Sequence, residues 1–126
     1  MALLETAIVA SDWLKYEADS YFSRETVTIA SGAGALKSGT VLATITASGK
    51  YTVAAASGSD GTQTAVGVLL FPVDATSGDK SAVIIRRHAI VSHNGLIWGS
   101  TINDATKRGA ASAQLKTAGI LVREGA

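Results

Sequence analysis

Only two imidazoles occur in the chain, His88 and His93, and there is no cysteine. Disulfides, thiolate metal sites and thiol nucleophiles are thereby excluded, and a metal site would need distant carboxylates. If both histidines lie on a strand, their odd separation sends them to opposite faces. They then read as ordinary polar or interface residues. Ser59 with His88 or His93 is a formal hydrolase arrangement. However, Gly58-Ser59-Asp60-Gly61 is first a turn sequence, and no Gly-x-Ser-x-Gly elbow is present. Gly32-Ala33-Gly34 lacks the third glycine of a dinucleotide fingerprint and has no βαβ frame around it. Gly49-Lys50 is followed by Tyr51, which breaks the phosphate-loop pattern. Asp60-Gly61 lacks the repeated acidic ligands of a calcium loop. The expectation is a protein that is no enzyme and takes no metal or cofactor.

Two basic pairs, Arg86-Arg87 and Lys107-Arg108, could touch phosphate. Neither has the interleaved aromatics of a single-strand binder, and on a strand Arg86 and Arg87 face opposite sides. The strongest functional signal lies at the N-terminus. Residues 1–25 hold five acids (Glu5, Asp12, Glu17, Asp19, Glu25) against two bases (Lys15, Arg24). The remainder holds nine bases and five acids, so the two parts carry opposite charge. Trp13, Tyr16, Tyr21 and Phe22 fall within ten residues of one another. Aromatics bring large contact area at low rotamer cost, which makes them good interface anchors. The segment reads either as a first strand packed on the core or as an arm that orders on a partner, and the arm is the preferred reading. An extended arm can also add a strand to a partner's sheet edge.

The elements that must position these residues are mostly short strands. Val27-Thr28-Ile29 ends at Ser31-Gly32-Ala33-Gly34. Val41 to Ile45 is followed by Tyr51-Thr52-Val53, and Ser48-Gly49-Lys50 is a credible hairpin loop between them. Ala65 to Phe71 is an apolar run stopped by Pro72, which cannot donate to a ladder. Ala82 to Val91 is the longest β-type run, and Asn94-Gly95 turns the chain before Leu96-Ile97-Trp98. Asn103-Asp104 can cap a helix through Ala105 to Ala118, with Gly119 as its stop. Leu115 is that helix's only large apolar side chain, so a narrow face must pack closely. Ile120-Leu121-Val122 can return as a last strand. Trp98 and Leu115 are candidates for subunit contacts or for the core.

Length and composition agree with one modest domain. The chain has 126 residues, is 47% hydrophobic and carries a net charge of +1. Alanine supplies 22 of the hydrophobic residues, so core burial per residue is limited and oligomerisation is a plausible supplement. No apolar run approaches the roughly 20 residues that span a bilayer, and Met1 to Ala10 has no basic region of a signal peptide. The near-neutral charge gives no argument for nucleic acid or membrane as partner. The expected fold is mainly β: a small single-domain barrel or sandwich with one short helix near the C-terminus and an extended N-terminal arm. The arm spans 1–25 and the β-rich domain 26–126.

Several segments, taken in order, carry a resemblance to a family. They are Tyr21-Phe22-Ser23-Arg24-Glu25-Thr26-Val27-Thr28-Ile29, Ser38-Gly39-Thr40-Val41-Leu42, Gly49-Lys50-Tyr51 and Asp60-Gly61-Thr62-Gln63-Thr64-Ala65-Val66-Gly67-Val68-Leu69. With Leu96-Ile97-Trp98 and the Asp104–Arg108 stretch, they resemble the tailed-phage head decoration proteins, relatives of the phage lambda capsid-stabilising protein D. The resemblance spans about residues 10–124. It implies a mostly β protein that forms homotrimers on the outside of the expanded head, at three-fold and quasi-three-fold positions. There it would clamp major capsid subunits against the pressure of packaged DNA. It also implies that the N-terminal arm orders on the capsid, which would put Trp13, Tyr16, Tyr21, Phe22 and Arg24 at the contact. The implied partners are the major capsid protein and two further copies, with no nucleic acid and no membrane. The implied location is the virion surface, after assembly in the host cytoplasm. The alternative is a β-barrel module that binds a carbohydrate or other small ligand.

Overall fold

Runs rich in Val, Ile and Thr set the architecture, because β-branched side chains fit a pleated, half-buried surface. The computed structural model describes residues 10–124, apart from the side chains of Ser11, Ser20 and Tyr21. Five strands close a barrel: β2 (Arg24–Ile29), β4 (Val41–Thr44), β5 (Tyr51–Val53), β6 (Ala65–Leu69) and β8 (Lys80–Ile85). Their order around it is β2-β5-β4-β6-β8, with β8 returning antiparallel to β2. A three-stranded sheet lies outside the barrel, built from β1 (Leu14–Glu17), β9 (Ala89–Ser92) and β10 (Ile120–Arg123) in the order β1-β9-β10. A short ribbon pairs β3 (Ala35–Leu36) with β7 (Val73–Asp74). The helices are one turn, α1 (Ser20–Ser23), and the longer α2 (Ala105–Thr117).

The wall is buried on both sides at β4 and β6, which read as unbroken apolar runs, while β2 alternates and turns its polar residues outward. All five strands feed one cluster, through Ile29, Tyr51, Leu42, Leu69, Ala82 and Ile84. That cluster is the lumen, and it is filled by side chains, as small barrels are. The alternate residues Val41, Ala43, Val68 and Ile85 point outward into a second cluster with Trp13, Val91, Leu115 and Ile120. The outer sheet and α2 cover that side.

Local chemistry explains the elements the sequence announces. Asp104 caps α2 by accepting from the Lys107 amide at 2.8 Å. The helix stops at Thr117, one residue short of the expected end, with Ala118 as cap and Gly119 at φ +92°. Its buried face is Ala111 and Leu115, one turn apart. Full burial of a leucine contributes about 1.5–3 kcal/mol. Gln114 ties the helix to the barrel: its amide nitrogen donates to Gln63 O at 3.1 Å, and its oxygen accepts from the Ala65 amide at 2.8 Å. The β4–β5 hairpin forms as expected, but the Ile45 amide already bonds Lys50 O at 2.7 Å. The loop is therefore Thr46 to Gly49 rather than Ser48 to Lys50.

Three expectations are corrected. Ala82 to Val91 is two strands in two sheets, broken at His88, whose φ is +55°. Neither histidine lies on a strand, since His93 opens a single 3-10 turn, His93–Gly95. Leu96 to Trp98 forms no strand, and Ile97 makes one isolated bridge to Thr40. No helix of the described residues is long and apolar enough to cross a membrane.

Candidate interaction surface

The N-terminal segment enters the fold through Trp13. Its ring is fully buried in the outer core cluster. Its indole nitrogen donates to Ser38 Oγ at 2.9 Å, and that hydroxyl donates onward to Leu70 O at 2.7 Å. Two glycines make room for it. A Cβ on Gly95 would sit 2.6 Å from Trp13 Cβ, and one on Gly39 would sit 3.1 Å from the indole ring. Trp13 was expected at a partner contact, but it has no exposed surface to offer. Ring volume and a buried N–H partner hold it in the core, and it fixes where β1 begins.

From that anchor β1 runs antiparallel to β9, with a register irregularity between Leu14 and Tyr16. Tyr16 pairs with Ile90, and Ile90 pairs with Leu121 on β10. The pleat alternates faces, so Val91 and Ile120 go into the core while Tyr16, Ile90 and Leu121 form a row on the outside. Tyr16 is 61% exposed. The row lines a shallow cleft of about 290 Å³, completed by Ala18, His88, Ala89 and Gly119.

Phe22 of α1 extends the row. It is 50% exposed, and its ring packs at a tilt of 57° against His88, with centroids 4.6 Å apart. Arg87 lies over the same ring at 5.8 Å, within cation–π range. The Arg87 guanidinium also donates to Phe22 O at 2.7 Å and to Glu25 at 2.9 Å. The result is an apolar and aromatic face with the Arg87–Glu25 ion pair at its rim. Arg86, in the connection between β8 and β9, turns the other way, to the Tyr51 hydroxyl at 3.3 Å and Val66 O at 3.2 Å.

Arg24 is also internal bracing. Its guanidinium pairs with Glu17 at 2.6 Å, joining the end of β1 to the start of β2. That hydrogen bond, with a second from Ser23 Oγ at 2.6 Å, holds the Glu17 carboxyl below the usual range although burial opposes it. The side chain of Tyr21 and residues 1–9 lie outside the described residues. Residues 10–25 of the expected arm therefore join the fold, and they display Tyr16 and Phe22 at its surface.

The two remaining candidates separate. Leu115 is fully buried and is a core residue. Trp98 is half-buried, 5.5 Å from the His93 ring, and lines an open groove of about 650 Å³ with Leu36, Val53 and Ile97. The pairing of β9 with both β1 and β10 brings Ile90 and Leu121 beside Tyr16. Sequence reasoning passed over those two, because local patterning carries no signal for strand partners. Among the described residues, Ser59 hydrogen-bonds to neither histidine, and no group of three His, Asp or Glu residues could hold a metal ion.

No curated protein matches the chain. The family model of the bacteriophage lambda head decoration protein D matches residues 3–120, nearly its whole length. The ordered segments of the sequence, the mainly β fold and this match agree, and the chain belongs to the bacteriophage lambda head decoration protein D family.

Proposed function

We propose that this protein decorates the outer surface of the expanded phage head as a homotrimer. It sits at three-fold and quasi-three-fold positions and cements major capsid subunits against the pressure of packaged DNA. The observation that carries this reading is the family match over residues 3–120. In it the protein is not an enzyme, its partners are the major capsid protein and its own copies, and nucleic acid and membrane play no part. It assembles onto heads in the host cytoplasm and stays on the virion.

Within this reading, residues 1–25 make the capsid contact and residues 26–126 form the decoration domain. Tyr16 and Phe22 supply exposed aromatic area, while Trp13 and Arg24 hold the segment in place. A trimer that touches several capsid subunits multiplies weak contacts into tight binding. Selective binding to the expanded lattice stabilises that lattice by mass action. No chemical step is required.

The test is co-sedimentation with expanded, undecorated heads of a matched phage. Deleting all of residues 2–25 would remove Trp13 and β1, so the informative variants are a chain lacking 2–9 and the double change Tyr16→Ser with Phe22→Ser. Saturable binding by the full chain, lost in either variant, supports both role and surface. Equal binding by all three keeps the role and moves the contact elsewhere. A folded full chain that fails to bind overturns the proposal. Sedimentation velocity of the free protein checks the trimer.

A further inference from the structure

The helix α2 opens a second surface, far in character from the aromatic face. Ala105, Gly109 and Ser112 fall at successive turns of one helix side, where small side chains leave a pocket of about 300 Å³. His93, Arg108, Val122 and Glu124 complete it. Gly109 is costly at this point, since glycine inside a helix loses roughly 1 kcal/mol against alanine. A Cβ there would meet nothing within 4 Å, so packing does not demand the glycine. The open space itself is what the small residue preserves.

Arg108 gives that space its chemistry. Its Nε is buried and has no hydrogen-bond partner. An unsatisfied buried donor is expensive, and more so on a charged group. The two terminal nitrogens of the guanidinium, beyond the enclosed Nε, form a planar fork that matches a carboxylate with two parallel bonds. Ser112 adds a hydroxyl to the same wall. The helix N-terminus itself is spoken for, because Asp104 already caps it. One rim residue narrows the ligand further: Glu124, 82% exposed, stands 3.9 Å from His93 Nδ1. A negative charge at the rim disfavours a dianion such as phosphate more than it disfavours a single carboxylate.

We propose that the pocket between α2 and the end of β10 is a carboxylate-binding site with Arg108 as its cation. Its ligand is a carboxylate group, presented either by a small organic acid or by an acidic side chain of a polypeptide.

The experiment is an NMR titration of the full chain, following the Arg108 Nε–Hε signal and the amides of Arg108, Gly109 and Ser112. The probes are sodium acetate, a capped peptide with one internal glutamate, inorganic phosphate, and chloride at matched ionic strength. Two variants accompany it. Arg108→Gln removes the cation, and Gly109→Leu fills the space while keeping the charge. The expected result is saturable shifts with acetate that chloride does not produce, weakened about tenfold by either variant, as for loss of one charged hydrogen bond. Binding of the peptide as well assigns the site to acidic side chains, and binding of acetate alone assigns it to small acids. Phosphate binding as tightly as acetate overturns the carboxylate preference. Non-saturable shifts, or shifts unchanged in Arg108→Gln, overturn the site.

Discussion

Trp13 and Tyr16 stand three residues apart and end in opposite environments. The indole is sealed among Gly39, Gly95 and Ser38, while the phenol is 61% exposed on the outer sheet. Their substitutions should separate by more than any surface effect allows. Trp13→Ala empties a core site and should cost about 3–5 kcal/mol, a large part of an ordinary domain's stability. Tyr16→Ala removes a mostly exposed side chain and one cross-strand pair with Ile90, and should stay within about 1 kcal/mol. Urea denaturation of both variants is the measurement, with Trp13→Phe as a milder substitute if the alanine variant does not fold. Equal losses at the two positions would mean that β1 is not docked as described. The aromatic-acidic composition of residues 1–25 was plain in the sequence, but not which aromatic turns inward. That depends on two glycines and a serine brought from 25 to 82 positions further along the chain.

At the scale of elements, the corner at His88 decides the fold's layering. A straight run from Ala82 to Val91 would stay in one sheet, but the +55° φ of His88 turns the chain out of the barrel and into the outer sheet. The left-handed region is tolerated by asparagine and is poor for β-branched residues. His88→Val and His88→Asn both lose the ring contact with Phe22, so the difference between them reports mainly on the backbone. The valine variant should be less stable by about 1–2 kcal/mol in thermal or urea unfolding. If the two are equal, the corner is not strained by side-chain type. Elements with local signals were legible: the Asp104 cap, the Gly119 stop, the Leu115 face and the β4–β5 hairpin. The split of the longest β run was not legible, because a histidine carries no glycine-like mark of a positive φ. The outer sheet was illegible for a different reason. Its middle strand pairs antiparallel with β1 and parallel with β10 across long stretches of chain, and the candidate face exists only once those pairings are made.

Across the whole molecule, four carboxylates share one electrostatic bias. Glu17 is held below the usual range by Arg24, against some burial. Asp60 and Asp74 are lowered by hydrogen bonds from Thr62 and Thr76, and Asp79 by Lys50 and the Ser31 amide. They brace distant parts of the fold: the start of β2, the loop before β6, the end of β7 and the approach to β8. A carboxyl whose folded pKa is depressed binds its proton more readily when the chain unfolds. Stability then rises with pH until the unfolded carboxyls have ionised, and it is complete above that range. On acidification the contribution starts to fall near the ordinary carboxylate values, about 4, and is lost as pH passes through the lower folded values. The melting temperature should therefore be level from neutral pH to about 5 as far as these groups are concerned, and fall below about 4, with Glu17 contributing most because the other three are exposed to solvent. Added salt should shrink the share from Lys50–Asp79, whose side chains are both 41% exposed. Glu17→Gln should lower the melting temperature at neutral pH and flatten the acid limb, since it removes the least exposed of these carboxylates. Melting curves of the parent and the variant between pH 3 and 7 check this, and an acid limb unchanged by the substitution would remove Glu17 from the account. A head-bound protein stabilised in this way would lose its fold, and with it the proposed cementing contacts, first in acid.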